Sequence, residues 1–120
     1  MSVERKRVQA GFYRSVNGKE PVREWFLKLS KRDRQAIDAD IQTVEFGWPV
    51  GMPVCRAMTG GLYEVGTNLT GARVARVLFC FHERYLVLLH AFIKKSQKTP
   101  KADLELAKFR KKEVESGSNE

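Results

Sequence analysis

The sequence predicts an α+β domain, and three observations carry that expectation. Residues 21–29 and 31–47 place their apolar side chains at helical spacing. Residues 61–93 switch to the alternation of strands, and Thr99-Pro100 then opens another helix. The expected order is β-α-α-β-β-β-α, a sheet with a helical hairpin packed on it.

The first element is a strand over residues 7–16, with Val8, Ala10, Phe12 and Val16 on one side. Asn17-Gly18 turns the chain, and Pro21 stands where a helix can begin, since its missing N–H is not needed there. Val22, Trp25, Phe26 and Leu29 follow at i, i+3, i+4, i+7, the apolar stripe of a short helix. Ser30 and Asp33 make an S-x-x-D capping box for a second helix, whose inward face is Ile37, Ile41 and Val44. Gly47 and Pro49 end it, so the two helices are expected as an antiparallel hairpin.

Three strands are expected next, over residues 61–66, 73–81 and 85–93, with turns at Thr70-Gly71 and His82-Glu83-Arg84. The last run is apolar on both faces, as in a strand covered on both sides. Thr99 is the expected N-cap and Pro100 the first residue of the closing helix, with Ala102, Leu106 and Phe109 facing the sheet. At 120 residues and 13.7 kDa the chain suits one domain, expected over residues 1–115, with a flexible tail at 116–120.

Charge narrows the function. Lys and Arg number 22 against 14 Asp and Glu, a net +8 with a pI near 9.8, which points to a polyanionic partner. No apolar run is long enough to span a bilayer, and the first ten residues lack the apolar core of a secretory leader, so a cytoplasmic protein is expected. Cys55, Cys80, His82 and His90 fit no zinc-finger spacing, and the thiols read as small buried hydrophobes in a reducing compartment.

The excess is concentrated. Between residues 94 and 112 stand Lys94, Lys95, Lys98, Lys101, Lys108, Arg110, Lys111 and Lys112, against Asp103 and Glu105. Most of this suits a solvated helix, but Lys94 and Lys95 end an apolar strand and so hold a fixed position for phosphate. Arg76 lies inside a strand, sharing a face with Leu78 and Cys80, while Arg73, Ala75, Val77 and Phe79 share the other. A strand-interior arginine either pairs, here with Glu64 on the neighbouring strand, or offers its planar fork to a phosphate. His90 reads as a satisfied core histidine or as an acid/base group. Tyr63 reads as sheet packing or as a stacking platform for a base. Gly60-Gly61 is a turn, not a phosphate loop.

Four segments, P-V-R-E-W-F (21–26), G-L-Y-E-V (61–65), R-V-L-F (76–79) and L-L-H-A-F-I-K-K-S-Q-K-T-P (88–100), resemble the phage-derived HigB-like toxins of the RelE/ParE superfamily of type II toxin–antitoxin systems. The resemblance covers roughly residues 7–112 and is most specific in F-x-K-K-x-Q-K-T-P at 92–100. It implies a RelE-like fold with a twisted, mainly antiparallel sheet. It also implies an mRNA interferase (an endoribonuclease) that acts on translating ribosomes, needs no metal or other cofactor, and is silenced by a HigA-like helix-turn-helix antitoxin. Carried over residue by residue, it places catalysis on Arg76, Lys94 and Lys95. RNA contacts are expected from Arg73, Lys98, Tyr63 and Arg56, and His90 is a candidate acid or base.

One position departs from the pattern. Relatives commonly read L-Y-E-L-R where this chain has Leu62-Tyr63-Glu64-Val65-Gly66, so a basic residue is missing, for which Arg73 or Arg56 is a candidate substitute. Metal-free RNA cleavage needs a base for the 2′-OH, an acid for the departing 5′-oxygen, and positive charge on the phosphorane. Arg76 suits the last role, and Lys94, Lys95 or His90 the others. Two alternatives accompany this reading: a ParE-like inhibitor of DNA gyrase, and a weakly active member that mainly binds its antitoxin.

Overall fold

The computed structural model describes residues 5–51, 54–94 and 98–117. The elements are β1 (Gln9–Phe12), α1 (Pro21–Leu27), α2 (Lys31–Gly47), β2 (Cys55–Ala57), β3 (Tyr63–Leu69), β4 (Arg73–His82), β5 (Tyr85–Lys94) and α3 (Lys101–Ser116), with a single 3₁₀ turn at Thr59–Gly61. The fold is α+β. Its five-stranded sheet runs β1-β5-β4-β3-β2 and is mixed: β1 pairs with β5 in parallel, and the other three pairings are antiparallel.

The expected order lacked one strand. Three residues, Cys55–Ala57, pair with β3 at the sheet edge, Arg56 opposite Glu64. A strand this short carries no readable alternation, so only its pairing reveals it. The first strand is also shorter than expected: Val8 is buried, but Val16 is almost fully exposed in the turn that Gly18 closes by donating to the Ser15 carbonyl.

Helices cover both sheet faces. Ser30 Oγ accepts the Asp33 N–H at 3.2 Å and starts α2, whose Ile37 and Val44 are fully buried and Ile41 nearly so. Each such side chain contributes about 1.5–3 kcal/mol relative to exposure. α1 lies against β5 and α2 against β3 and β1, so the core on this side joins Val22, Ile37, Val44, Val65, Val77 and Phe79. Glu45, also buried, accepts the Ala10 N–H at 2.7 Å and Lys6 Nζ at 2.9 Å, tying α2 to the edge strand β1.

On the other face α3 covers β4 and β5 through Leu104, Ala107 and Val114, packed with Leu62, Leu78, Cys80 and Leu89. This differs from the face expected for α3: Ala102 and Phe109 are exposed. Both sets of residues repeat at helical spacing, and polar anchors select between them. Arg110 donates to the Leu89 carbonyl at 2.8 Å, Tyr13 donates its hydroxyl to Glu113, and Asp103 meets His90. Burial, reinforced by Glu113, pushes the Tyr13 hydroxyl up to about 12, and burial lowers the Arg110 pKa. Thr99 is not the N-cap either. Pro100 occupies that position, and the Thr99 hydroxyl donates to Glu64 instead.

β4 and β5 lose register between Leu78 and Phe79: Leu78 lies opposite His90, but Phe79 lies opposite Leu88, leaving Leu89 as the extra residue. The bulge turns Leu89 into the core under α3 and His90 toward Asp103 on the same helix. Cys55 and Cys80 are free, buried thiols in separate clusters, and burial pushes both up to about 11. No helix among the described residues is long and apolar enough to cross a membrane.

Candidate functional site

Sheet register assembles the site on the α3 side. One row across the strands reads Arg56, Glu64, Leu78, His90; the next reads Gly66, Arg76, Phe92; in the third, Val74 lies opposite Lys94. Because strand side chains alternate, residues two apart on one strand share a face. Arg56, Arg76, His90 and Lys94 therefore meet on a single surface, beside the start of α3.

A buried carboxylate organises it. Glu64 is 3% exposed, and its Oε1 takes Arg76 at 2.7 Å and Arg56 at 3.5 Å. Thr99 donates to the other oxygen, Oε2. A desolvated carboxylate persists only with such partners. The Arg76 side chain is 11% exposed and that of Arg56 46%, so Arg76 is the inner cation and Arg56 the outer one. Of the two readings of Arg76, the pairing with Glu64 is therefore present in the free protein.

Toward β1 along the same face, His90 Nε2 lies 2.5 Å from Asp103 Oδ1, and its ring stacks on Phe92 with centroids 5.5 Å apart. Lys94 Nζ stands 6.0 Å from the Phe92 ring centroid. Lys98 is exposed just before α3. Lys95 lies outside the described residues. The surface thus offers two guanidiniums and an ammonium for an oxyanion, with a carboxylate and a carboxylate-bound imidazole as proton acceptors or donors.

Two expected contact residues lie elsewhere. Tyr63 packs on the α2 side, stacked with Phe79 at 5.6 Å and edge-on to Trp48 at 4.9 Å. Arg73 binds Asp33 of α2 with both terminal guanidinium nitrogens, at 3.0 and 3.3 Å. The Arg73 bond holds the Asp33 carboxyl below its ordinary pKa. Of the two candidate substitutes for the arginine absent at position 66, Arg56 reaches this face and Arg73 does not. Gly66 itself leaves open space: a Cβ there would meet nothing within 4 Å.

Sequence reasoning missed Thr99 and Asp103 as site residues. Thr99-Pro100 is a helix-start signal, which masked the hydroxyl's bond to β3. Asp103 sits one residue off the apolar stripe expected to face the sheet. Among the described residues no three His, Cys, Asp or Glu groups converge as a metal site.

Fold and site define a class: a basic α+β domain whose sheet face gathers cations around a buried carboxylate. The sequence model of the family described as phage derived protein Gp49-like (DUF891) matches residues 24–112, from α1 through most of α3, and the chain belongs to that family. Arg56, Glu64, Arg76, His90, Lys94, Thr99 and Asp103 all fall inside the match. A search of curated proteins gave no match.

Proposed function

We propose that this protein is the toxin of a toxin–antitoxin pair and a metal-independent endoribonuclease that cuts mRNA on translating ribosomes. Its family is associated with toxin–antitoxin modules, and the resemblance of residues 88–100 to HigB-like toxins points the same way. The observation that carries the reading is the convergence of Arg56, Arg76 and Lys94 on one sheet face, with His90 and Glu64 among them.

In this reading the phosphates of the strand meet the solvent-facing cations Arg56 and Lys94 first, with Lys98 extending the cationic track. Arg76 stabilises the phosphorane, a role suited to a group that stays charged. His90, oriented by Asp103, relays a proton to or from the reacting oxygens. A HigA-like helix-turn-helix antitoxin is the expected partner, and an acidic segment of it suits this face.

The test is induction in growing cells of the wild type, Lys94→Ala and Arg56→Ala, chosen because both side chains reach solvent. Translation is followed by labelled amino-acid incorporation and cleavage by mapping new RNA 5′ ends. Losing a well-placed cation is expected to lower cleavage about 100- to 1000-fold. Full toxicity in both variants overturns the site, and DNA breaks with intact mRNA favour the gyrase alternative. One observation supports the second alternative, a weakly active antitoxin-binding module: Gly66 places no cation next to Arg76.

A further inference from the structure

Phe92 lies at the centre of the cationic face, and no role in binding or proton transfer yet accounts for it. Along β5, His90, Phe92 and Lys94 follow one another at every second residue, about 6.6 Å apart, and share one face. Across the sheet, Phe92 is in register with Arg76 and, one strand further, with Gly66.

The ring has a neighbour on each side along its strand, and one of them holds it. His90 stacks on it at 5.5 Å with an interplanar angle of 29°, and Asp103 holds His90. On the other flank, Lys94 Nζ stands 6.0 Å from its centroid, at the outer limit of a cation–π contact and so readily drawn away by a phosphate. Phe92 is only partly buried. One strand beyond Arg76, Gly66 adds no side chain, and a Cβ there would meet nothing within 4 Å. A partly exposed aromatic held on one side by a histidine and set among guanidinium and ammonium groups matches the pattern by which proteins bind unpaired bases. The ring stacks on the base, and cations take the flanking phosphates.

We propose that Phe92 is a stacking platform for one unpaired RNA base, with Lys94 and Arg76 contacting the phosphates on either side of it. Stacking tolerates any base, so the platform sets the position of the strand rather than its sequence. The proposal rests on the RNA reading of this face and specifies how the strand is seated on it. It also transfers to Phe92 the stacking role considered for Tyr63, whose ring is packed on the opposite side of the sheet.

The test uses labelled single-stranded 2′-O-methyl RNA, which lacks the attacking hydroxyl and stays intact, beside an abasic oligomer of equal length. Binding to the full chain is measured by fluorescence anisotropy. Phe92→Leu is expected to lower affinity for the base-bearing strand about tenfold or more and to leave abasic binding unchanged. Phe92→Trp is expected to retain affinity and to show an indole signal quenched by the base-bearing strand only. Unchanged binding by Phe92→Leu, or equal losses for both oligomers, overturns the platform. If Phe92→Leu does not fold, Phe92→Trp decides: no selective quenching overturns the proposal. Selective stacking without cleavage of unmodified RNA retains the platform and rejects the endoribonuclease. Cleavage with no preference for base-bearing strands does the reverse.

Discussion

Arg76 of β4 donates to Glu64 of β3 at 2.7 Å, joining an inner cation to a carboxylate that is almost wholly removed from solvent. Their mutual dependence bears on how substitutions at this site are interpreted. Truncating Arg76 leaves that buried carboxylate only the longer contact to Arg56 and the Thr99 hydroxyl, so lost toxicity in that variant can report lost folding.

Arg76→Ala is therefore expected to destabilise the fold by roughly 3–5 kcal/mol, the scale for breaking a buried ion pair from one side. Combining it with Glu64→Leu removes both charges and is expected to recover most of the loss. Chemical denaturation of the two single variants and the double variant checks this. Additive losses would show that the pair is not coupled.

Gly66→Arg adds the cation that the resemblance leads one to expect. The site has open space and lies beside Arg76, so the fold is expected to accept the change with little effect on its melting temperature. RNA cleavage and growth arrest on induction are expected to rise. Unchanged activity in a folded variant argues against weak activity caused by this position.

The Asp33–Arg73 pair faces away from the site and predicts a separable effect. Because Arg73 depresses the Asp33 pKa, its stabilisation is present above the unfolded carboxyl pKa, about 3.9, and is lost as pH falls through the lower folded value. Stability of Arg73→Met measured from pH 5 downward is expected to show a shallower acid loss than wild type. RNA affinity at pH 7 is expected to match wild type, and a large drop would return Arg73 to the binding surface.

At the alkaline end, Tyr13 supplies the opposite sign. Its hydroxyl is raised to about 12 in the fold, against about 10 unfolded, so its contribution is full below pH 10 and declines as pH rises toward 12. Tyr13→Phe is expected to flatten that decline in thermal melts recorded across pH 9–11. An identical slope in the variant would place the alkaline sensitivity elsewhere.

Thr99→Val tests which bond that hydroxyl makes. Losing a donor to buried Glu64 is expected to cost about 1–3 kcal/mol with helix content by circular dichroism unchanged. Thr99→Ser is expected to retain most of the stability. A loss of helix signal in the valine variant would restore Thr99 to a capping role.

These residues also show what a sequence exposes. Ile37, Ile41 and Val44 were legible because a long helix with one buried face repeats its signal over four turns, and the β4 alternation that set Arg76 and Arg73 on opposite faces was legible for the same reason. Cys55–Ala57 was too short to repeat anything, and the bulge at Leu89 depends on pairing, which one strand cannot state. The face of α3 was ambiguous until Arg110, Asp103 and Glu113 found partners far along the chain. Within the site, Arg76 and Lys94 stood out as cations at fixed strand positions. Tyr63 and Phe92 could not be ranked until register and helix placement decided which face each occupied.

Tyr13 and Glu113, which clasp β1's end to α3, are separated by 100 residues. β3, β4 and β5 form successive local hairpins that can zip early, whereas β1 must wait for β5 and then for α3. The cationic face can thus begin to form while the clasp is still missing. Glu64 lacks Thr99, and His90 lacks Asp103, until residues 99–113 dock. Until then Glu64 and His90 stand without the groups that hold them, so the surface reaches its working geometry only when the last helix is in place.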